Sequence, residues 1–187
     1  MKTVKGKQLL VGADFAGYPL KEAVVAHLKK KGWEITDVGV TAQSNLNDTE
    51  NMFHRVGLRV GAKIAEGEFE RALIFCGTGM GYHIAASKCP HVHAGVVESV
   101  PATLRAITGN GVNVLAMGAF YVAPQMGCDI ADAYLGASLG NGGTIFMSSI
   151  SSQWTNWKRS TMRPTNGTAG ASRRLSADTG GQTGVKL

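Results

Sequence analysis

The residues whose types and spacing could do chemistry lie in one stretch, Cys76-Gly77-Thr78-Gly79-Met80-Gly81. It closes a short apolar run, Ala-Leu-Ile-Phe-Cys at 72–76, and opens a helical one. That order reads as a buried parallel strand, a tight loop and a helix start. Glycines at 77, 79 and 81 let the backbone take positive φ and approach a ligand closely. The N–H groups of Gly77, Gly79, Met80 and Gly81 then point at an anion, a phosphate or an enolate-like oxygen. Cys76 stands at the carboxyl end of the strand, where open α/β sheets bind ligands, and the following helix start favours its thiolate. Two other readings stay open. Cys76 could be a small buried hydrophobe, and the glycines could be a dinucleotide loop with Glu98 as the ribose contact. Against the latter, the spacing is G-x-G-x-G with Tyr82 where a third glycine belongs, and the loop follows the third strand, not the first.

The elements that must position this loop follow from periodicity. Residues 9–13 form a first strand that delivers Asp14 to a loop at its carboxyl end. Gly17, Tyr18 and Pro19 open a helix with Leu20, Val24 and Leu28 on one face, and Lys29-Lys30-Lys31 and Gly32 close it. A second strand spans 33–38 and a polar loop 39–50. A helix over 51–66 carries Phe53, Val56, Val60 and Ile64 at helical spacing, with His54 off that face. After the glycine loop, Pro90 ends a short helix, 94–97 form a fourth strand, and Ser99 caps a helix containing Val100, Leu104 and Ile107. Residues 113–117 form the fifth strand. Pro124 begins a last helix with Met126, Ile130, Ala133 and Tyr134 on one side. Five strands alternating with helices predict an α/β fold, a Rossmann-like three-layer sandwich with a five-stranded parallel sheet. Its strand ends are expected to bring Asp14, Cys76, Glu98 and the Gly109-Asn110 region to one edge.

Length and charge set the bounds. The chain has 187 residues, 44% of them hydrophobic, enough for one sizeable core. Residues 1–139 hold 13 Lys/Arg against 12 Asp/Glu, whereas 140–187 hold 6 against 1, so the basic excess belongs to the end of the chain. Nucleic-acid binding by the main domain is therefore not expected. Residues 140–187 are rich in Gly, Ser and Thr and read as a flexible basic tail, with a strand-like stretch at 144–150. Cys76, Cys89 and Cys128 are widely spaced with no CxxC, which fits a reducing compartment and neither a disulfide framework nor a zinc site. With no signal-like or membrane-spanning apolar run, a soluble cytoplasmic protein is expected.

Three ordered blocks carry a resemblance. Gly12-Ala13-Asp14-Phe15-Ala16-Gly17-Tyr18-Pro19-Leu20-Lys21, the stretch from Phe75 through Gly81 with Ile84-Ala85-Ala86-Ser87-Lys88, and Asn113-Val114-Leu115-Ala116-Met117-Gly118 occur in order. The chain resembles the type B ribose-5-phosphate isomerase and galactose-6-phosphate isomerase family over roughly residues 8–140. The resemblance implies an aldose–ketose isomerase that needs no metal or other cofactor, acts on a small phosphorylated sugar, and forms a homodimer or homotetramer with sites between subunits. On that likeness Cys76 is the base that moves a proton between C1 and C2, and Thr78 hydrogen-bonds a substrate oxygen. Asp14 holds substrate hydroxyls, Gly77 to Gly81 supply N–H donors, and Asn110 matches a loop asparagine. The sequence also departs from the pattern. Phe15 replaces a histidine that contacts substrate, Gly109 replaces the ring-opening histidine, and Phe53 replaces a tyrosine. The C-terminal arginine segment has no clear counterpart. These losses suggest an acyclic tetrose phosphate as an alternative substrate, or a sugar-phosphate or nucleotide binder without catalysis.

Overall fold

A computed structural model describes residues 5–140. The expected five strands form one all-parallel sheet: β1 (Gln8–Ala13), β2 (Glu34–Asp37), β3 (Ala72–Cys76), β4 (Ala94–Val96) and β5 (Val114–Gly118), in the order β2-β1-β3-β5-β4. Helices α1 (Tyr18–Lys30), α2 (Phe53–Ala65), α3 (Met80–Ala86), α4 (Val100–Asn110) and α5 (Pro124–Gly136) connect and cover them. The basic tail and the strand-like stretch at 144–150 lie outside the described residues. Among the described residues no helix is long and apolar enough to cross a membrane.

Both sheet faces are buried, which is why β1, β3 and β5 read as unbroken apolar runs. Alternation along β3 sends Leu73 and Phe75 to one face and Ala72, Ile74 and Cys76 to the other. On the first face they meet Leu20, Val24 and Leu28 of α1, Ile107 of α4 and Ile130 and Tyr134 of α5. On the second they meet Val56, Val60 and Ile64 of α2 and Tyr82 and Ala86 of α3. Each buried Leu, Ile or Val contributes about 1.5–3 kcal/mol relative to exposure. Cys76 thus faces the α2/α3 layer because of its place in an alternating strand.

Several helix faces differ from their expected pattern. Ser99 caps α4 as expected, its hydroxyl accepting from Ala102 N at 3.3 Å. However, Phe53, Leu104 and Met126 are exposed, while Thr103, Gly127 and Cys128 are buried at neighbouring turns. Small residues let α4 and α5 approach their neighbours, so the buried stripe follows Thr103, Gly127 and Cys128 instead of the largest side chains.

α1 and α5 are also clamped from outside. Asp132 accepts from Lys31 Nζ at 2.6 Å and lies 2.9 Å from His27 Nε2. Partial burial pushes the Asp132 carboxyl up, but the hydrogen bonds from Lys31 and His27 together hold it below its usual 3.8. A depressed folded-state value means that this stabilisation is complete above the unfolded value and is lost as pH falls through the folded one. Asp132→Asn is expected to cost no more than about 1 kcal/mol at neutral pH, since the cluster is partly exposed. In thermal melts the gap to the wild type should close below pH 3.8; a gap that persists there would assign the effect to packing.

Candidate active site

The loop after β3 takes the shape its glycines allow. Gly79 adopts φ 79° and ψ −23°, a left-handed conformation that turns the chain into α3 and aims its N–H back at the strand end. That N–H donates to Cys76 Sγ at 2.9 Å. The sulfur is almost wholly buried and receives a backbone donor, an arrangement suited to a group that carries negative charge during its work. Met80 N donates to Thr78 Oγ1 at 3.3 Å. Two of the four donors expected to meet a ligand are therefore already engaged within the loop.

Neighbouring strand ends complete the floor. Ala119 N donates to Cys76 O at 2.8 Å and Phe120 N to Gly77 O at 3.0 Å, tying the loop to the turn after β5. Asp14 follows β1 directly. Its own N–H donates to Phe75 O at 3.3 Å, and its Oδ1 accepts from Gly17 N at 2.9 Å. Burial pushes the Asp14 carboxyl up, and the N–H groups of Gly17, Ala16 and Asp14 itself only partly offset this. Lys21, buried in the first turn of α1, donates to Asp37 and to Val40 O at 2.6 Å, fixing the chain that leaves β2 at the same sheet edge. The ring of Phe120 lies over Gly77 and that of Phe53 over Gly81, so aromatic rings flank the loop on both sides.

The structure joins Asp14, Cys76, Gly77, Thr78, Gly79, Met80 and Gly81 at one edge. Asn110 does not join them. It ends α4, which runs back across the sheet, and Val114 at the amino end of β5 follows a short turn later, whereas Gly118 at the carboxyl end of that strand pairs with Cys76. Gly109 and Asn110 thus lie at the opposite edge, because a crossover helix ends where the next strand begins. Glu98 is exposed beyond the edge strand β4, two strands from β3. Lys21 and Tyr82 were not singled out from sequence. Only the anomaly of a lysine beside the apolar stripe of α1 could have flagged the first.

Similarity to known proteins is extensive. The sequence pattern of the Ribose/Galactose Isomerase family matches residues 9–145. The chain belongs to this family. A 4-deoxy-4-sulfo-D-erythrose isomerase of a Clostridium species is 38% identical over 128 residues, 68% of this chain and 78% of that one. Ribose-5-phosphate isomerase B of Escherichia coli is 35% identical over 136 residues, 73% and 88% of the two chains. The solved ribose-5-phosphate isomerase B of Clostridium thermocellum superposes with a TM-score of 0.67 at 29% identity, covering 82% of this chain and 99% of that one.

For this member of the ribose/galactose isomerases, the loop geometry depends on close backbone contact. A Cβ on Gly118 would lie 2.7 Å from the backbone C and O of Thr78. Gly118→Ala is expected to cost about 1–3 kcal/mol in urea denaturation, as an overpacked site does. It should also slow alkylation of Cys76 by iodoacetamide near neutral pH, because displacing the Gly79 N–H from the sulfur disfavours the thiolate. An unchanged alkylation rate would show that the loop does not lean on β5.

Proposed function

We propose that the protein is a cytoplasmic aldose–ketose isomerase that interconverts a small phosphorylated sugar, of the ribose 5-phosphate/ribulose 5-phosphate type, through an enediol. Cys76 carries the reading: a cysteine at a strand end, with a backbone N–H 2.9 Å from its sulfur, in a chain of the isomerase family. Its thiolate removes the proton from C2 of the aldose. The C–H electron pair forms the C1=C2 bond, and the carbonyl electrons move to O1. The N–H groups of Gly77 and Gly81 and the Thr78 hydroxyl are assigned to that oxygen, where preorganised donors lower the barrier most. Asp14 holds the hydroxyls. The O2 proton passes to O1, the thiol returns its proton to C1, and the ketose leaves with Cys76 restored.

A second reading concerns chain length. Gly109 offers no side chain for acid–base opening of a sugar ring, and Phe15 offers no imidazole to a substrate. A tetrose esterified at its terminal oxygen cannot close a five-membered ring and needs no such help. The 38% likeness to an isomerase of a sulfonated tetrose supports the same class. The acyclic tetrose 4-phosphate pair, or its sulfonate counterpart, is thus the favoured alternative to ribose 5-phosphate.

We further infer a homodimer built around the site. Phe53, Met80, Ile84, Phe120 and Tyr121 are exposed apolar side chains beside the loop, the kind of surface that a second copy would cover. Since Asn110 cannot reach Cys76 of its own chain, a role for it requires a second copy. Residues 1–139 are assigned to the isomerase unit, and 140–187 to a basic Gly/Ser/Thr-rich appendage.

NMR of solvent deuterium exchange into ribose 5-phosphate, ribulose 5-phosphate, erythrose 4-phosphate and erythrulose 4-phosphate tests the activity. Label should enter at the carbon beside the carbonyl, and Cys76→Ala should slow entry by at least about a hundredfold, the low end for a general base. No exchange from the folded wild type would leave a binding protein. Assembly is tested by light scattering after size exclusion. Ile84→Glu, which places charge on the apolar rim, should convert dimer to monomer with an unchanged circular dichroism spectrum; a wild-type monomer would remove the shared site.

A further inference from the structure

Tyr82 is the third residue of α3 and sits fully buried in the α2/α3 core layer that also holds Cys76. Among the described residues its hydroxyl has no hydrogen-bond partner. The same layer holds Leu10, Val56, Ile74, Val114 and Ala116, all apolar. Phenylalanine would fill this space without the cost of a desolvated hydroxyl. A polar group kept in a place where packing disfavours it points to a use in chemistry. The hydroxyl keeps its proton here and so can donate. Burial first, then the acidic groups Asp14 after β1, Cys76 and Asp37 at the end of β2, raise its value far above the ordinary phenol range, and Arg59 on α2 offsets this only in part. It therefore holds its proton wherever the protein is folded.

We propose that Tyr82 is a positioning residue for Cys76, its hydroxyl turning towards the sulfur when the thiolate forms and adding a second donor to the Gly79 N–H. The proposal rests on Cys76 acting as the base. No proton leaves Tyr82: the O–H stays intact, and its dipole answers a charge that the apolar layer would otherwise oppose. When Cys76 takes the substrate proton the charge moves out to the enediolate, and the hydroxyl is released. A buried phenol without a partner in the resting protein thereby gains one in the state that does the work.

The ultraviolet absorbance of the thiolate, taken as the difference between a protein and its Cys76→Ser counterpart, reports the charge on this sulfur without any substrate. In the full chain, Tyr82→Phe is expected to raise the pH midpoint of that signal by about one unit, the size of a single lost donor. Its melting temperature should equal or exceed that of the wild type, since the variant sheds an unsatisfied hydroxyl. Incorporation of difluorotyrosine at position 82, a stronger donor of the same shape, should lower the midpoint instead. On whichever sugar proves to be the substrate, kcat of Tyr82→Phe should fall about tenfold near neutral pH with KM little changed, the mark of an interaction made in the transition state. An unmoved midpoint in both variants, or a midpoint that moves only together with a lower melting temperature, would overturn the proposal and leave Tyr82 a packing residue. A moved midpoint in a protein that exchanges no sugar would support the link between Tyr82 and Cys76 while removing the isomerase reading beneath it.

Discussion

The site depends on a contact between two backbones. The loop that leaves β1 presses against the end of β3 so closely that a Cβ on Gly17 would stand 2.1 Å from Phe75 O. No side chain survives at that distance, and none is present. The same approach lets Asp14 N donate to Phe75 O and lets the Asp14 carboxylate take the Gly17 N–H, so that Asp14 stands next to Cys76. Neighbouring parallel strands are about 4.8 Å apart. Two chemical groups on adjacent strand ends therefore fall within reach of one small sugar only if nothing bulky separates the loops above them. The glycines of the carboxyl edge maintain that spacing, and the helices behind the sheet hold it rigid.

A second constraint follows from the alternation of β3. Placing Leu73 and Phe75 against α1, α4 and α5 obliges Cys76 to face α2 and α3. That layer is apolar, and an isolated charge in such surroundings is costly. The protein answers with a local donor, the Gly79 N–H. Lys21, buried in α1, is occupied with Asp37 and Val40 O. Its job is to hold the loop after β2, and breaking that pair would strand a carboxylate more than it would weaken the sheet. Charge at Cys76 is thus left to the backbone N–H of Gly79, which a small substrate need not displace.

Much of this was legible in the sequence, because parallel strands buried on both faces announce themselves as apolar runs and helices by their caps and stops. Ala72–Cys76 could be read directly, and a left-handed turn in the glycine loop could be expected, though not that Gly79 alone of Gly77, Gly79 and Gly81 would make it. What could not be read depends on direction in space. Asn110 looks close to the site when loops are counted, but a helix between parallel strands runs against them and delivers its last residues to the wrong edge. Phe53, Leu104 and Met126 have core-like side chains at core-like spacing and are nevertheless exposed, since periodicity marks an apolar face without saying whether that face meets its own sheet or another molecule. Tyr82 was hidden for the opposite reason: a tyrosine at the start of a helix is ordinary, and only its burial without a partner makes it unusual.

The pattern of what the chain keeps and what it lacks is itself informative about chemistry. Proton transfer beside a carbonyl and the opening of a sugar ring are separate steps with separate requirements. The first needs a base and donors fixed at one carbon, which the β3 loop supplies from within one chain. The second needs an acid–base group at the ring oxygen, several bonds away, and the position that resemblance assigns to it is Gly109, at the far edge of the same sheet. Loss of the second set without the first would slow turnover of a substrate that is mostly cyclic and must then open unaided, yet cost nothing for one that cannot cyclise. The losses at Phe15 and Gly109 beside an intact Cys76 loop therefore weigh towards the proposed shorter-substrate alternative, since the base and its donor are kept while the group that the resemblance assigns to ring opening is lost.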